Sequence, residues 1–240
     1  MKELSKKIPD HLEAFSLEKK KEVSEFLINH ITEKRNGLMD SVLAERTRHI
    51  TVALEDIYQP HNSSAVIRSC DIFGVQDVHV IQNKYSSKVS RHVAKGSQKW
   101  LDIKKYNKSA TNTQDCLDAL RKDGYQIIAT TPHNDSCFLH EFDITKKSAF
   151  VFGVEKEGVS EYTMNQADGF LKIPMVGFTE SLNISVAAAI ILQDATTKLR
   201  ASNIEWQLTT KEKEVLYFDW VQKSIKSIKK ITERYQHQEK

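Results

Sequence analysis

Between about residues 50 and 200, short apolar segments alternate with helical segments, and this alternation constrains the fold more than any other feature. The first unit shows the pattern: a buried strand at Ile50–Ile57, a helix at Ser63–Phe73 with Asn62 as its N-cap, and a strand at Val78–Gln82. Joints this short favour parallel strands joined by a right-handed crossover. We therefore predict an α/β fold: a parallel sheet with helices on both faces.

Charged helical segments flank this region on both sides. Residues from about 12 to 48 carry apolar side chains at helical intervals, with no proline and a single glycine, Gly37. A second helix is predicted from Thr209 or Thr210 to about Tyr235. The predicted domain organisation is a helical N-terminal extension at 1–48, an α/β domain at 49–200 and a helical C-terminal extension at 201–240.

The C-terminal helix carries one apolar stripe, which predicts a packing face. The stripe consists of Val215, Phe218, Val221, Ile225, Ile228 and Ile231. The lysines and arginines elsewhere on both terminal helices have two interpretations: a solvated surface or contacts with an anionic partner.

Composition narrows the class of protein. The chain has 240 residues, 40% of them hydrophobic and 28% charged, with a net charge of +3, which permits an anionic partner without requiring one. No apolar run reaches the roughly 20 residues of a membrane-spanning helix, and the first residues do not resemble a signal peptide. The three cysteines form no CxxC pair, so neither a zinc site nor a disulfide framework is indicated. We expect a cytoplasmic protein without a metal.

Three polar stretches could carry chemistry, and each has an ordinary structural interpretation. The first contains Asn62 and Arg68, which alone could be a helix cap and a surface cation. The second runs from Phe152 to Ser160 and places Glu155 after an apolar strand, between Gly153 and Gly158. Its two glycines have P-loop spacing, but Val159 stands where a P-loop requires lysine, so that interpretation fails.

The third stretch, Ile173–Leu192, begins with a short apolar strand, continues through a polar turn that includes Ser181 and Asn183, and ends in an almost uninterrupted apolar helix. A short helix with so wide an apolar surface is predicted to be buried on nearly all sides. A polar turn at the start of a buried helix is a common ligand site in α/β proteins, although these residues could also simply cap the helix. Neither the Gly-x-Ser-x-Gly nor the GxGxxG pattern is present.

Taken together, the three stretches resemble the signature motifs of the SPOUT superfamily, in its branch of 2′-O-ribose methyltransferases. The motifs are N-x-x-A-x-x-R at 62–68, F-G-x-E-x-x-G-V-S at 152–160 and I-P-M-x-G-x-x-x-S-L-N-x-S-x-A-x-A at 173–189. The segments PHNSSAVIRSCDIFGV and GSQKW (Gly96–Trp100) are similar to the TrmH-type tRNA (guanosine-2′-O)-methyltransferases. The resemblance covers about residues 48–200.

The resemblance implies a fold with a C-terminal trefoil knot, which periodicity alone would not predict because knots are rare. It also implies that S-adenosylmethionine binds against the knot loops. The residues that match its contacts are Thr130, Gly153, Ile173, Met175, Ser181, Leu182 and Asn183.

The resemblance further implies the catalytic roles. Arg68 would activate the ribose hydroxyl, Asn62 would hold the substrate or Arg68 in place, Glu155 and Ser181 would order the site, and Asn183 would fix the loop. The family is dimeric, with Arg68 of one protomer facing the cofactor of the other. Basic residues of 84–99 and of the terminal helices would contact RNA phosphates.

The resemblance favours 2′-O-methylation of a D-loop guanosine in tRNA, at tRNA position 18. Two alternatives remain open. One is the same chemistry on ribosomal RNA. The other is a non-catalytic RNA-binding protein on the same scaffold, which would be expected to have lost Arg68, Glu155 or Asn183, although all three are present.

Overall fold

The computed structural model describes residues 15–85, 91–132, 136–154 and 157–238. The chain divides into two compact units. Thr47–Trp206 forms an α/β unit, and the residues up to Arg46 together with those from Gln207 onward form a helical unit.

The α/β unit is built on a single parallel sheet. Its strands are β1 Ile50–Glu55, β2 Asp77–Ile81, β3 Asp102–Tyr106, β4 Gln126–Thr130, β5 Cys137–Phe138, β6 Ser148–Phe152 and β7 Gly169–Lys172. Within the described residues their order is β3-β2-β1-β6-β4-β7-β5, and every neighbouring pair is parallel. The predicted parallel α/β sheet is confirmed.

Helices cover both faces of the sheet. The helices of the α/β unit are α3 Pro60–Ile72, α4 Arg91–Ala94, α5 Asn112–Lys122, α6 Glu161–Gln166 and α7 Ile184–Ala201, following α1 Leu17–Leu27 and α2 Glu33–Ala44 of the helical unit. Successive strand residues point to opposite faces. In β1, Leu54 therefore packs in one core with residues of α3 and α7, and Ala53 packs in a second core with residues of α5.

The helix α3 begins earlier than the sequence predicts. Pro60 is its first residue, Gln59 occupies the N-cap position, and Asn62 lies in the first turn. The prediction of Asn62 as the N-cap is therefore wrong. Proline is well suited to the first helical position, because its missing N–H would have no partner inside the helix there. The Asn62 side chain is consequently available for a contact outside its own helix.

Two further predictions about α7 and its preceding strand are corrected. The strand β7 ends at Lys172, so the short apolar strand predicted at the start of Ile173–Leu192 does not form there. The helix α7 is not buried on nearly all sides within this chain: Val186 is 46% exposed and Ile190 is 38% exposed. These two residues are four apart and share one face of the helix.

The helical unit consists of α1, α2 and two C-terminal helices, α8 Thr210–Ser224 and α9 Ile228–Gln238. The predicted single C-terminal helix is therefore broken, with Ile225 in an extended conformation at the end of α8. Thr209 and Glu212 form a capping box at the start of α8, where the sequence predicts the helix to begin. Most of the predicted stripe packs inward, although Val215 is 38% exposed.

In the part of the chain that the structure describes, no helix combines the length and apolar character needed to span a bilayer.

Candidate functional site

A cleft opens at the carboxyl ends of three adjacent strands, β4, β6 and β7. Its volume is about 120 Å³. The loops that leave these strands form its walls, and the first residues of α7 close it. The predicted cofactor contacts that line it are Thr130, Gly153, Ile173, Met175, Ser181 and Leu182. The carboxyl edge of a parallel sheet is where α/β proteins bind their ligands.

Asn183, the remaining predicted cofactor contact, is not among the described residues that line the cleft. It is the N-cap of α7: its Oδ1 accepts hydrogen bonds from the backbone N–H of Ser185 at 2.9 Å and from the Ser185 hydroxyl at 2.6 Å. Its Nδ2 donates to Oδ1 of Asn62 at 3.2 Å. Asn62 is buried, so this bond ties the loop over the cleft to α3. The structure thus brings together two residues from distant sequence motifs.

Arg68 does not reach the cleft of its own chain. It lies half-buried on α3, with no hydrogen bond or ion pair to any residue that the structure describes. Helical spacing places it on the same side as His61, Ala65 and Ile72, and Ile72 is 65% exposed. Asn62, on another side of α3, turns towards α7. Glu155, the acidic residue predicted for the site, lies outside the described residues.

Gly153 permits a backbone approach that no other residue allows. A Cβ atom at this position would lie 2.0 Å from the carbonyl carbon and oxygen of Gly158 and 2.2 Å from the nitrogen of Val159. Val154 and Gly158 exchange two backbone hydrogen bonds, at 2.9 and 2.8 Å. Gly158 has a φ of +73°, a conformation that favours glycine. The cleft wall at this point is therefore backbone packed on backbone.

Glu55, which the sequence analysis did not single out, holds this wall in place. The carboxylate ends β1 and is buried. It accepts hydrogen bonds from the backbone N–H of Ser160 at 2.9 Å, from the Ser160 hydroxyl at 2.8 Å, and from the hydroxyls of Thr113 at 2.8 Å and Thr163 at 3.0 Å. All these donors are neutral. A glutamate at the end of an otherwise apolar strand was the available signal, because a buried charge requires partners.

We expect Glu55→Gln to lower the free energy of unfolding by about 3 kcal/mol, because the new amide NH₂ group would face hydroxyl and N–H donors that now share a charged acceptor. Urea unfolding monitored by circular dichroism measures this change. Glu205→Gln is the matched control, since Glu205 is exposed, and its effect should stay within about 0.5 kcal/mol. Equal effects of the two substitutions would contradict the assigned role of Glu55.

The fold and the cleft define an α/β protein with a small-molecule site at the carboxyl edge of a parallel sheet. Comparison with protein families makes this more specific. The sequence model of the SpoU rRNA Methylase family matches residues 49–193. The chain belongs to this family, and the predicted resemblance is confirmed.

Individual relatives agree with this assignment. The tRNA (guanosine(18)-2′-O)-methyltransferase of Borreliella burgdorferi is 38% identical over 201 residues, which are 84% of this chain and 90% of that protein. The crystal structure of the A. aeolicus TrmH/SpoU tRNA modifying enzyme superposes with a TM-score of 0.70 at 31% identity, covering 79% of this chain and 95% of that one. The SpoU methyltransferase AviRb of Streptomyces viridochromogenes, in complex with AdoMet, gives a TM-score of 0.58 at 25% identity, with 68% and 62% covered.

Proposed function

We propose that this protein transfers a methyl group from S-adenosylmethionine to the ribose 2′-oxygen of guanosine 18 in tRNA. The observation that carries the proposal is the 38% identity to a tRNA (guanosine(18)-2′-O)-methyltransferase across 90% of that enzyme's length. The bond between Asn62 and Asn183 supports it, because two of the three motifs meet beside one cleft. As a tRNA-modifying enzyme, the protein would act in the cytoplasm.

The residues that line the cleft suit S-adenosylmethionine. Apolar side chains such as Ile173, Leu182 and Ile191 can enclose an adenine ring, and the backbone at Gly153 can approach it closely. Thr130 and Ser181 would contribute hydroxyl groups to the same walls. When bound, the cofactor supplies an electrophilic methyl group on its sulfonium centre. No metal is part of this proposal.

The protein's own residues would then align and activate the ribose hydroxyl. We assign Arg68 to this activation, because its guanidinium can stabilise the negative charge that develops on the 2′-oxygen and can also hold a neighbouring phosphate. The hydrogen bond between Asn62 and Asn183 would hold the cleft loop in a fixed position against α3. Ser181 would order the site from within the cleft. We assign the same role to Glu155, on the basis of its place in the motif at 152–160.

Arg68 would act in the cleft of a second protomer. Within one chain it lies on an outward side of α3, and three apolar residues are exposed, Ile72 on α3 and Val186 and Ile190 on α7. Because α3 and α7 pack against each other, these residues can contribute to one two-fold interface. A homodimer built on this surface would bury the apolar side chains and complete the site.

Two finer features of the architecture belong to the same proposal. We include the C-terminal trefoil knot that the family resemblance implies, supported by the meeting of the loops after β4, β6 and β7 at one cleft. We also propose that residues 49–200 form the methyltransferase domain, with helical extensions at 1–48 and 201–240. The family match at 49–193 supports the central part of this division.

We expect Val186→Glu to convert the homodimer to a monomer, because a carboxylate would be buried in an apolar interface. Multi-angle light scattering over a range of protein concentrations measures the change. Val215→Glu is the matched control, since Val215 is a similarly exposed valine on α8 of the helical unit. A wild-type monomer, or a Val186→Glu protein that remains dimeric, would contradict this interface.

A methyl-transfer assay tests the function itself. The purified protein is incubated with radiolabelled S-adenosylmethionine and with unmodified transcripts of tRNA and of ribosomal RNA, and the modified nucleotide is then mapped. We expect label at guanosine 18 of tRNA. Label only in ribosomal RNA would show that the substrate is ribosomal RNA and not tRNA. Absence of label in both would favour a non-catalytic RNA-binding protein.

A further inference from the structure

Two exposed tyrosines form an aromatic pair near the N-terminus of α3. The rings of Tyr58 and Tyr85 have their centroids 5.1 Å apart and are inclined by 74°. Tyr58 is 63% exposed and Tyr85 is 36% exposed, so the pair presents open ring surface to solvent. Neither hydroxyl has a partner among the described residues. Aromatic side chains of this size are usually largely buried, so an exposed pair requires an explanation.

The backbone beneath the pair is fixed by one buried carboxylate. Asp56 follows β1 and has a φ of +52°, which is uncommon for a residue other than glycine. Its Oδ1 accepts hydrogen bonds from the backbone N–H of Asn83 at 2.6 Å and of Lys84 at 2.9 Å, and its Oδ2 accepts from the Asn83 side chain at 3.2 Å. Tyr58 is two residues after Asp56, and Tyr85 directly follows Lys84. Asp56 therefore positions both rings.

The surroundings of the pair favour a nucleotide over an apolar partner. The Lys84 side chain is 69% exposed, and its ion pair with the similarly exposed Glu157, the one ion pair it makes to the described residues, is long at 3.7 Å. Its ammonium group can therefore reach a phosphate. Tyr58 also lies two residues before α3, the helix that carries Asn62 and Arg68. An aromatic face and a nearby cation match the base and the phosphate of one unpaired nucleotide, and the proposed ribose site on α3 would take the nucleotide next to it.

We propose that the Tyr58–Tyr85 pair is a stacking platform for an unpaired base of the RNA substrate, next to the nucleotide that is methylated. The proposal rests on the proposed function, because the occupant is a base of the RNA that function requires. Stacking on an aromatic side chain is tolerant of base identity. The pair would thus hold the loop open and place the target ribose, while Arg68 acts on its hydroxyl.

Substitutions at Tyr58 separate stacking from simple apolar contact. We expect Tyr58→Ala and Tyr58→Leu each to raise the Kd for unmodified tRNA about tenfold, because both remove the ring. Tyr58→Phe should stay within about twofold of the wild type. The Kd for S-adenosylmethionine should not change in any variant, since Tyr58 does not line the cleft. Filter binding and calorimetry give these constants for the full-length protein, with thermal unfolding as a check on folding.

Abasic transcripts identify the stacked base. A transcript that lacks a single base beside the methylated guanosine should bind the wild type about tenfold more weakly than the intact transcript does. The Tyr58→Ala variant should bind this abasic transcript no more weakly than the wild type does. Losses that simply add, or a Tyr58→Leu variant that binds tRNA like the wild type, would overturn the platform. If the wild type methylates tRNA while Tyr58→Ala binds tRNA with the wild-type Kd, the stacking platform is wrong and the proposed function stands. If the wild type methylates no RNA, both proposals fail.

Discussion

Gly153→Ala should lower the affinity for S-adenosylmethionine by about 100-fold and destabilise the α/β unit. The added methyl group would lie 2.0 Å from the backbone of Gly158, a distance at which one chain segment must move. Neither segment can yield easily, because Val154 and Gly158 are joined by two backbone hydrogen bonds and Ser160 is held by Glu55. A displacement of about 1 Å in a positioned site can cost on the order of 100-fold.

Isothermal titration calorimetry with S-adenosylmethionine measures the affinity, and thermal unfolding measures the stability. Gly37→Ala is the matched control. Gly37 lies inside α2, and a Cβ atom there would meet nothing within 4 Å. Alanine in that position should leave the cofactor affinity unchanged and stabilise the protein by about 0.5–1 kcal/mol. A Gly153→Ala protein that binds the cofactor normally would show that the close approach has no part in cofactor binding.

The central strands of the sheet were predictable from sequence because they are buried on both faces. Such strands appear as continuous apolar runs, and the segments at 50–55 and 148–152 are buried at every position. The start of α3 was less predictable, because Pro60 and Asn62 are both residues that favour helix starts. Only the structure shows that Pro60 begins the helix and that Asn62 bonds to Asn183.

The exposure of Val186 and Ile190 on α7 could not be predicted from the sequence. An apolar side chain produces the same sequence pattern whether its partner belongs to the same chain or to another one. The prediction of burial on nearly all sides holds for Ala188 and Leu192 within this chain, whereas Val186 and Ile190 are exposed. The break between α8 and α9 was equally hidden, because the apolar stripe continues through it and Ile225 and Ile228 are both buried.

The site was only partly predictable, because its supporting bonds join distant residues. Glu55 bonds to Thr113, 58 positions away, and to Ser160 and Thr163, 105 and 108 positions away. No local pattern specifies such partners. The chemical motifs were accessible because each is a short run of residues with fixed spacing. The partners of Glu55, which holds the motif at 152–160 in place through Ser160, required the three-dimensional structure.

Arg68→Ala should lower the rate of methyl transfer by about 100-fold or more while leaving the fold intact. Arg68 has no hydrogen bond or ion pair to the described residues, so the stability of the chain should not depend on it. Loss of one group that stabilises developing charge typically costs this much. Single-turnover assays at saturating tRNA measure the rate. A near-normal rate would remove Arg68 from the mechanism.

Mixing two inactive variants tests whether Arg68 acts across the proposed interface. Co-expressed Arg68→Ala and Gly153→Ala chains should form mixed dimers in about half of all cases, and each mixed dimer would contain one site with both residues intact. With S-adenosylmethionine held near its wild-type Kd, we therefore expect about a quarter of the wild-type activity, although each variant alone is nearly inactive under that condition. If Arg68 acted within its own chain, every site in the mixture would lack one residue and no activity would return. Tagging the two chains differently and purifying the mixed dimer raises the expected recovery to about half, because one of its two sites is complete.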